Sequence, residues 1–299
     1  MPAPRVKRLL NGVLMLDKAR GASSNAVLQQ AKRLYRAAKA GHAGTLDPLA
    51  TGLLPILFGE ATKFSSDLLE TDKSYAAEIR LGVSTTTADA EGEVIAERAV
   101  SVTPEELAAA LLHFSGSILQ TPPLYSALKH AGKPLYAYAR AGIQIEREPR
   151  RVTIHGLNLQ WFEGGRLALF VTCSKGTYIR SIAHDLGQML GCGAHLAALR
   201  RAAVGRFGLD CAHTLESLEA MSATARDECL LPVDALLQNL PEAHLAPAQQ
   251  ARFVRGQAVP WDGPPQPRVR VYGPSGALLG VGEADADGTI SPRRVIANA

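Results

Sequence analysis

The densest chemical signal in this sequence is the segment Gly41-His42-Ala43-Gly44-Thr45-Leu46-Asp47-Pro48-Leu49-Ala50-Thr51-Gly52, which hangs one carboxylate on a Gly-flanked, Pro-stiffened loop. Such a loop is costly to order. An isolated Asp-Pro pair is ordinarily a turn former, so Asp47 acquires chemistry only if other groups meet it. A retaining glycosidase needs a second carboxylate as acid. Glu60, directly after Gly59, is the acidic residue nearest to hand, and its place suits a turn. No G-x-x-x-x-G-K-[ST] run is present, and Cys192 with His195 supplies two metal ligands at most, so nucleotide hydrolysis and metal chemistry are both disfavoured. What remains is chemistry built on a single acid group.

The elements that must hold that loop are partly legible. Val13-Leu14-Met15-Leu16 reads as a buried strand. Arg5, Lys7 and Arg8 before it imitate a signal peptide, but Asn11 and Asp17 interrupt the apolar run, which is also too short to span a membrane. A cytoplasmic protein is expected. Ser24 or Asn25 is placed to cap a helix that aligns Val27, Leu28, Ala31, Leu34 and Tyr35 on one face and Lys32, Arg36 and Lys39 on the other. The stretch from Gly41 to Gly59 reads as loop. It leads to a strand with Tyr75, Ala77, Ile79 and Leu81 alternating. Thr103, Pro104 and Glu106 form a capping box for a helix carrying Leu107, Leu111, Leu112 and Phe114. Residues 121–151 hold a Pro-Pro turn, a short helix with Tyr136 and Tyr138, and then Arg147, Arg150 and Arg151, which reads as a mobile excursion. A hairpin follows, Val152 to Gln160 and Leu167 to Cys173, and then a helix from about Tyr178 to Leu190.

With 46% hydrophobic and 20% charged residues, a 299-residue chain can bury a large core, and its length suits one large domain plus a small one. A boundary near Pro241 divides residues 1–240 from a β-rich 241–299, where Val269–Tyr272 and Leu278–Val281 flank a Gly273-Pro274-Ser275-Gly276 turn. The net charge of +4 is too small to identify a partner by itself. Local clusters say more: Arg147, Arg150 and Arg151; Arg200, Arg201 and Arg206; Arg293 and Arg294 suit phosphate tracking. The four cysteines form no C-x-x-C pair and read as reduced, buried thiols.

The segment around Asp47 occurs together with Asp17-Lys18, Gly59-Glu60-Ala61-Thr62-Lys63, Lys73-Ser74-Tyr75, Pro122-Pro123-Leu124-Tyr125-Ser126-Ala127-Leu128-Lys129, Cys173-Ser174-Lys175-Gly176-Thr177-Tyr178-Ile179-Arg180 and Gly191-Cys192-Gly193-Ala194-His195-Leu196. In this combination the chain resembles the TruB family of tRNA pseudouridine-55 synthases. The resemblance covers roughly the first two thirds, and Ala19 departs from it where the family usually has proline.

That resemblance implies an α/β (α+β) pseudouridine synthase fold: a mixed, mostly antiparallel sheet with flanking helices, followed by a PUA-like RNA-binding domain at 241–299. It implies that the glycosidic bond of a tRNA T-loop uridine is rearranged after the base is flipped out, with no cofactor and no metal. Asp47 matches the catalytic aspartate, nucleophile or base, and Arg180 the partner that keeps it charged and aimed. Tyr75 matches the residue stacking on the base, with a hydroxyl that can assist proton removal from C5. Tyr178 and Leu199 match the uracil pocket, and His42 the residue that packs into the opened T-loop. Lys18 matches a structural or substrate-side lysine. Taken singly, these residues would read as core tyrosine, packing leucine, surface histidine and surface arginine. The excursion at 121–151 resembles the family's thumb loop, closing over RNA.

A tRNA-binding folding factor without chemistry is the main rival, but an anion facing phosphate weakens a pure binder, and both activities can coexist. Guide-RNA-dependent relatives usually carry long charged extensions. Their absence favours a stand-alone enzyme, taken as a monomer, that reads tRNA by its own contacts.

Overall fold

Strands whose side chains are buried on both faces set the centre of the molecule. The computed structural model describes residues 7–296, so Arg5 lies outside the described residues. Its main sheet contains β1 (Gly12–Lys18), β2 (Ala40–His42), β3 (Thr51–Phe58), β4 (Lys73–Leu81), β5 (Gly116–Gln120), β6 (Arg150–Glu163), β7 (Arg166–Cys173) and β8 (Ala194–Val204). Their order is β1-β3-β8-β4-β7-β6-β5, with β2 also paired to β3. Only the β3–β8 pairing among these is parallel, giving the mixed, mostly antiparallel sheet expected.

Alternation explains why β1 and β3 read as continuous apolar runs. Successive side chains point to opposite faces. Leu14, Leu16, Leu54 and Ile56 join the core under helices α1 (Ser24–Leu34), α2 (Pro104–Leu112) and, beyond the short α3 (Leu135–Arg140), α4 (Ile179–Met189). Val13, Met15, Leu53 and Leu57 enter a second core that includes Val281 and Ile296 from the C-terminal part of the chain. That C-terminal part forms its own sheet, β9 (Glu242–His244), β10 (Val259–Pro260), β11 (Gln266–Tyr272), β12 (Leu278–Ala284) and β13 (Thr289–Val295), in the order β9-β11-β12-β13-β10. Arg268 and Asp67 at 2.6 Å, and Lys63 Nζ donating to Val295 O at 2.7 Å, tie it to the larger sheet. Among the described residues no helix is long and apolar enough to cross a membrane.

Several sequence expectations change. Ser23, not Ser24 or Asn25, caps α1 through Ala26 N–H. The helix ends at Leu34, and Arg36 adopts φ +52°, so Lys32, Arg36 and Lys39 form no continuous helical ridge. The segment from Gly41 to Gly59 is not all loop, because Thr51–Phe58 is a buried strand despite Gly52 and Pro55. Leu112 lies on the outer face of α2 and is exposed, whereas the Thr103–Glu106 capping box forms as read. Cys173 and Cys192 are buried, but Cys211 and Cys229 are only half-buried.

Gly52 marks the tightest approach in the sheet. At φ +101° its Cα faces Arg201, and an added Cβ would lie 2.3 Å from the Arg201 carbonyl oxygen. Gly52→Ala should therefore destabilise the fold by about 2–4 kcal/mol in urea unfolding, through backbone strain plus a clash that cannot relax by rotamer change. A loss under about 0.5 kcal/mol would show that β3 and β8 can part at this point.

Candidate active site

The Asp47 loop is a wide connection between β2 and β3, pinned at both roots along one edge of β3. Its first half leaves β2, which pairs with the far end of β3 (Ala40 with Phe58, His42 with Ile56). Its second half re-enters β3 where β8 takes over the pairing, Arg200 opposite Thr51 and Arg201 opposite Gly52. Buried Ser24 clamps the loop from α1: its hydroxyl accepts from Leu46 N–H at 2.8 Å and donates to Leu46 O at 2.9 Å. Leu46, Leu49 and Ala50 anchor it in the core. The carboxylate between these anchors has little freedom to wander.

Asp47 is brought together with Arg180. Arg180 Nη2 lies 3.0 Å from Asp47 Oδ2, joining a guanidinium only 4% exposed to a carboxylate 37% exposed. Tyr125 O at 2.8 Å and Thr87 O at 3.3 Å hold the same guanidinium. Asp89, buried and not anticipated from sequence, lies with Oδ2 3.6 Å from Arg180 Nε. Its other oxygen accepts from the Thr87 hydroxyl and from Glu91 N–H, fixing the carboxylate within a turn docked on β8 through Ala90 N–H to Leu196 O at 3.0 Å. The signal in the sequence was the run Thr85-Thr86-Thr87-Ala88-Asp89, rich in hydroxyls that bond back to a turn. One guanidinium thus serves two carboxylates.

The electrostatic balance at Asp47 follows. Desolvation pushes its pKa above the ordinary carboxylate value of 3.8, Arg180 and then Lys18 pull it down, and Asp89 pushes it up. A raised folded-state pKa means the native protein holds the extra proton longer than the unfolded chain. Asp47 therefore subtracts from stability as pH rises from 3.8 through its folded value. The site keeps a charged group at a cost that Arg180 partly offsets.

Tyr75 lies on β4, and its phenol is raised by burial first and by Asp47 among its neighbours. Tyr178 stands at the N-cap of α4 and is likewise raised, chiefly by burial. Its backbone is gripped by buried Gln120, which accepts from Tyr178 N–H at 2.7 Å and donates to Tyr178 O at 3.0 Å. Gln120 was also missed, being one polar residue at a strand end with no motif around it. Leu199 sits on β8 opposite Ala77, on the same face as Tyr75. His42, half-buried, leaves Nδ1 buried without a partner, and burial and Arg201 both lower its pKa.

One expectation is corrected, and of the two roles left open for Lys18 the structural one agrees with its surroundings. Lys18 is not available to a substrate: it is fully buried, and its ammonium donates to Ala19 O, Ala22 O and Pro48 O at 2.9, 2.7 and 3.3 Å. It fastens the residue after Asp47. The corrected one is Arg201, which cannot track phosphate because it is 1% exposed; Arg200, 43% exposed, pairs with Asp17 at 2.6 Å. Arg293 pairs with Glu283. Among the described residues no cluster of three or more His, Cys, Asp or Glu is placed to hold a metal.

Three family models match the chain in sequence. The TruB family pseudouridylate synthase N-terminal domain matches residues 32–179, the tRNA pseudouridylate synthase B C-terminal domain 180–238, and the pseudouridine synthase II TruB C-terminal domain 241–296. The protein of Nitrosospira multiformis named tRNA pseudouridine synthase B is 51% identical over 306 residues, 98% of each chain. Its namesake from Azoarcus sp. is 55% identical over 293 residues, 97% of this chain and 96% of the relative. Among solved structures, a chain of a Cbf5-Nop10-Gar1 complex matches with a TM-score of 0.70 and 26% identity, over 92% of this chain and 79% of that one. An H/ACA RNP bound to a substrate RNA containing 2′-deoxyuridine matches with a TM-score of 0.72 over 97% of this chain and 86% of that one. At 22% identity this second likeness speaks for the fold alone.

The charge balance is open to direct measurement by carbon-13 NMR of the Asp47 carboxylate. It should titrate above the ordinary range. Asp89→Asn, by removing an anion, should lower its midpoint, whereas Arg180→Met should raise it. Midpoints that ignore both substitutions would mean the three groups are not coupled.

Proposed function

The chain belongs to the TruB family of pseudouridylate synthases, isomerases that act on tRNA uridine, and from that premise we propose that it converts the T-loop uridine at position 55 of tRNA into pseudouridine. The observation that carries this reading is the Asp47 carboxylate, held 3.0 Å from a buried guanidinium and still in touch with solvent. Isomerisation breaks the bond from uracil N1 to C1′, turns the base over and joins C5 to the same carbon. The proton on C5 leaves and N1 regains one, so no electrons are exchanged and the reaction calls for neither cofactor nor metal. An ionised carboxylate at C1′ serves either as nucleophile or as the base that starts a glycal route. Arg180 keeps it ionised when the entering nucleotide expels water.

A base stacked in the T-loop must be extracted, and its lost contacts replaced. Tyr75 supplies an aromatic face, Tyr178 and Leu199 close the pocket, and His42 packs into the space the base vacates. Support for a closing thumb comes from residues 121–151, where Pro122, Ser126 and Leu135 are buried while most neighbours, including Lys129, Lys133 and Arg140, are exposed. A segment with so thin a core opens at low cost. Its root is nonetheless in the site, since Tyr125 O accepts from Arg180. The five-stranded sheet within 241–299 is assigned to the acceptor side of tRNA. The enzyme acts alone in the cytoplasm, without guide RNA, as a monomer.

Incubation of unmodified tRNA with the protein, followed by mapping at nucleotide resolution, should place pseudouridine at the T-loop uridine and nowhere else. Conversion at another position would overturn the substrate assignment. In the same samples, limited proteolysis should nick the free protein within 121–151 and spare it when tRNA is bound; equal cleavage in both states would contradict closure of that segment.

A further inference from the structure

Among the described residues Arg201 is the largest fully buried side chain, and no carboxylate pairs with it. Its guanidinium is met by neutral oxygens: Nε donates to Leu53 O at 2.7 Å and Nη2 to Gly44 O at 3.1 Å. A buried cation without a counter-ion costs several kcal/mol in desolvation, and an apolar side chain of similar volume would fill the space at lower cost. Packing alone does not account for it.

The register gives the missing contact. Arg201 on β8 is the direct cross-strand neighbour of Tyr75 on β4, on the same face of the sheet, so the guanidinium and the phenol are placed side by side. Guanidinium has five donors and no acceptor. Toward Arg201 the Tyr75 oxygen can therefore only accept, which leaves its own hydrogen for another partner. The same side chain reaches into the Asp47 loop, where a Cβ added at Gly44 would lie 3.4 Å from Arg201 Nη1. One buried group thus holds the carboxylate loop and stands beside the tyrosine.

We propose that Arg201 is a positioning residue for the isomerisation, orienting the Tyr75 hydroxyl and setting its place relative to the Asp47 loop. The inference rests on the reading of Tyr75 as the residue that meets the flipped base. It adds that the hydroxyl matters as well as the ring, and that a residue out of reach of RNA controls it. Arg201 also opposes the upward push that burial gives the Tyr75 phenol, which favours an oxygen able to exchange a proton with the base. The β-bulge between Arg201 and Ala203 breaks the strand period directly after Arg201, leaving Arg201 paired with Tyr75 and Ala203 with Ser74.

A double-mutant cycle tests this, with single-turnover rate, tRNA Kd and thermal transition measured for Arg201→Lys, Tyr75→Phe, the double variant and Tyr75→Leu. Arg201→Lys should lower the rate about tenfold or more while Kd changes less than about threefold. In the Tyr75→Phe background the same substitution should change the rate by less than about threefold, because the group it positions is gone. Equal losses in both backgrounds, or a Tyr75→Phe protein at full rate, would overturn the proposal. Full activity in Tyr75→Leu would instead sink the underlying reading of Tyr75. Should Arg201→Lys lose its cooperative thermal transition, Arg201→Gln takes its place in the cycle. If neither variant folds, Arg201 is a structural tie of the sheet and the proposal falls.

Discussion

The structure turns on one ion pair, a part-exposed carboxylate at Asp47 held by the buried guanidinium of Arg180. Arg180 is itself buried, so its charge needs compensation before Asp47 can benefit. Asp89 on one side, with carbonyls of Thr87 and Tyr125 on the other, supplies it. Removing Arg180 leaves the buried Asp89 carboxylate without its cation, whereas removing either carboxylate leaves Arg180 paired with the other. Arg180 and its four partners come from four separated stretches of chain, and the main sheet is the frame that makes them converge.

That frame explains the loop. β3 gives one edge to β2 and β8 in succession, and the Asp47 segment spans the changeover. Ser24, Lys18 and Arg201 then hold its backbone from three directions, through Leu46, Pro48 and Gly44 respectively. Two of those three are buried cations donating to carbonyls. Ordering a loop is entropically costly, and fixed donors beneath it restrict the backbone before any substrate arrives.

How much of this was legible depended on how local each signal was. The Thr103–Glu106 capping box and the strand carrying Tyr75 were readable because their hydrogen bonds and alternation lie within a few residues. β8 was not. Its Leu-Ala-Ala-Leu-Arg-Arg run lacks a clean period of two, since bulges between Leu196 and Ala198 and between Arg201 and Ala203 shift the phase, and a buried arginine resembles a surface one in sequence. β3 was read as loop because Gly52 and Pro55 punctuate a strand that is buried on both faces. The pairing of Asp47 with Arg180 spans 133 positions, beyond the reach of periodicity, and came from family resemblance. Arg201 shows the converse error: charge in the sequence suggested phosphate, whereas burial commits it to carbonyls.

The most direct measurement is the single-turnover rate of pseudouridine formation by Asp47→Asn on unmodified tRNA, taken with tRNA affinity and thermal stability. Asparagine keeps the shape and removes the charge. The rate should fall by about 10³-fold or more with binding and fold retained. An Asp47→Asn protein that forms pseudouridine at the wild-type rate would contradict the account at its centre.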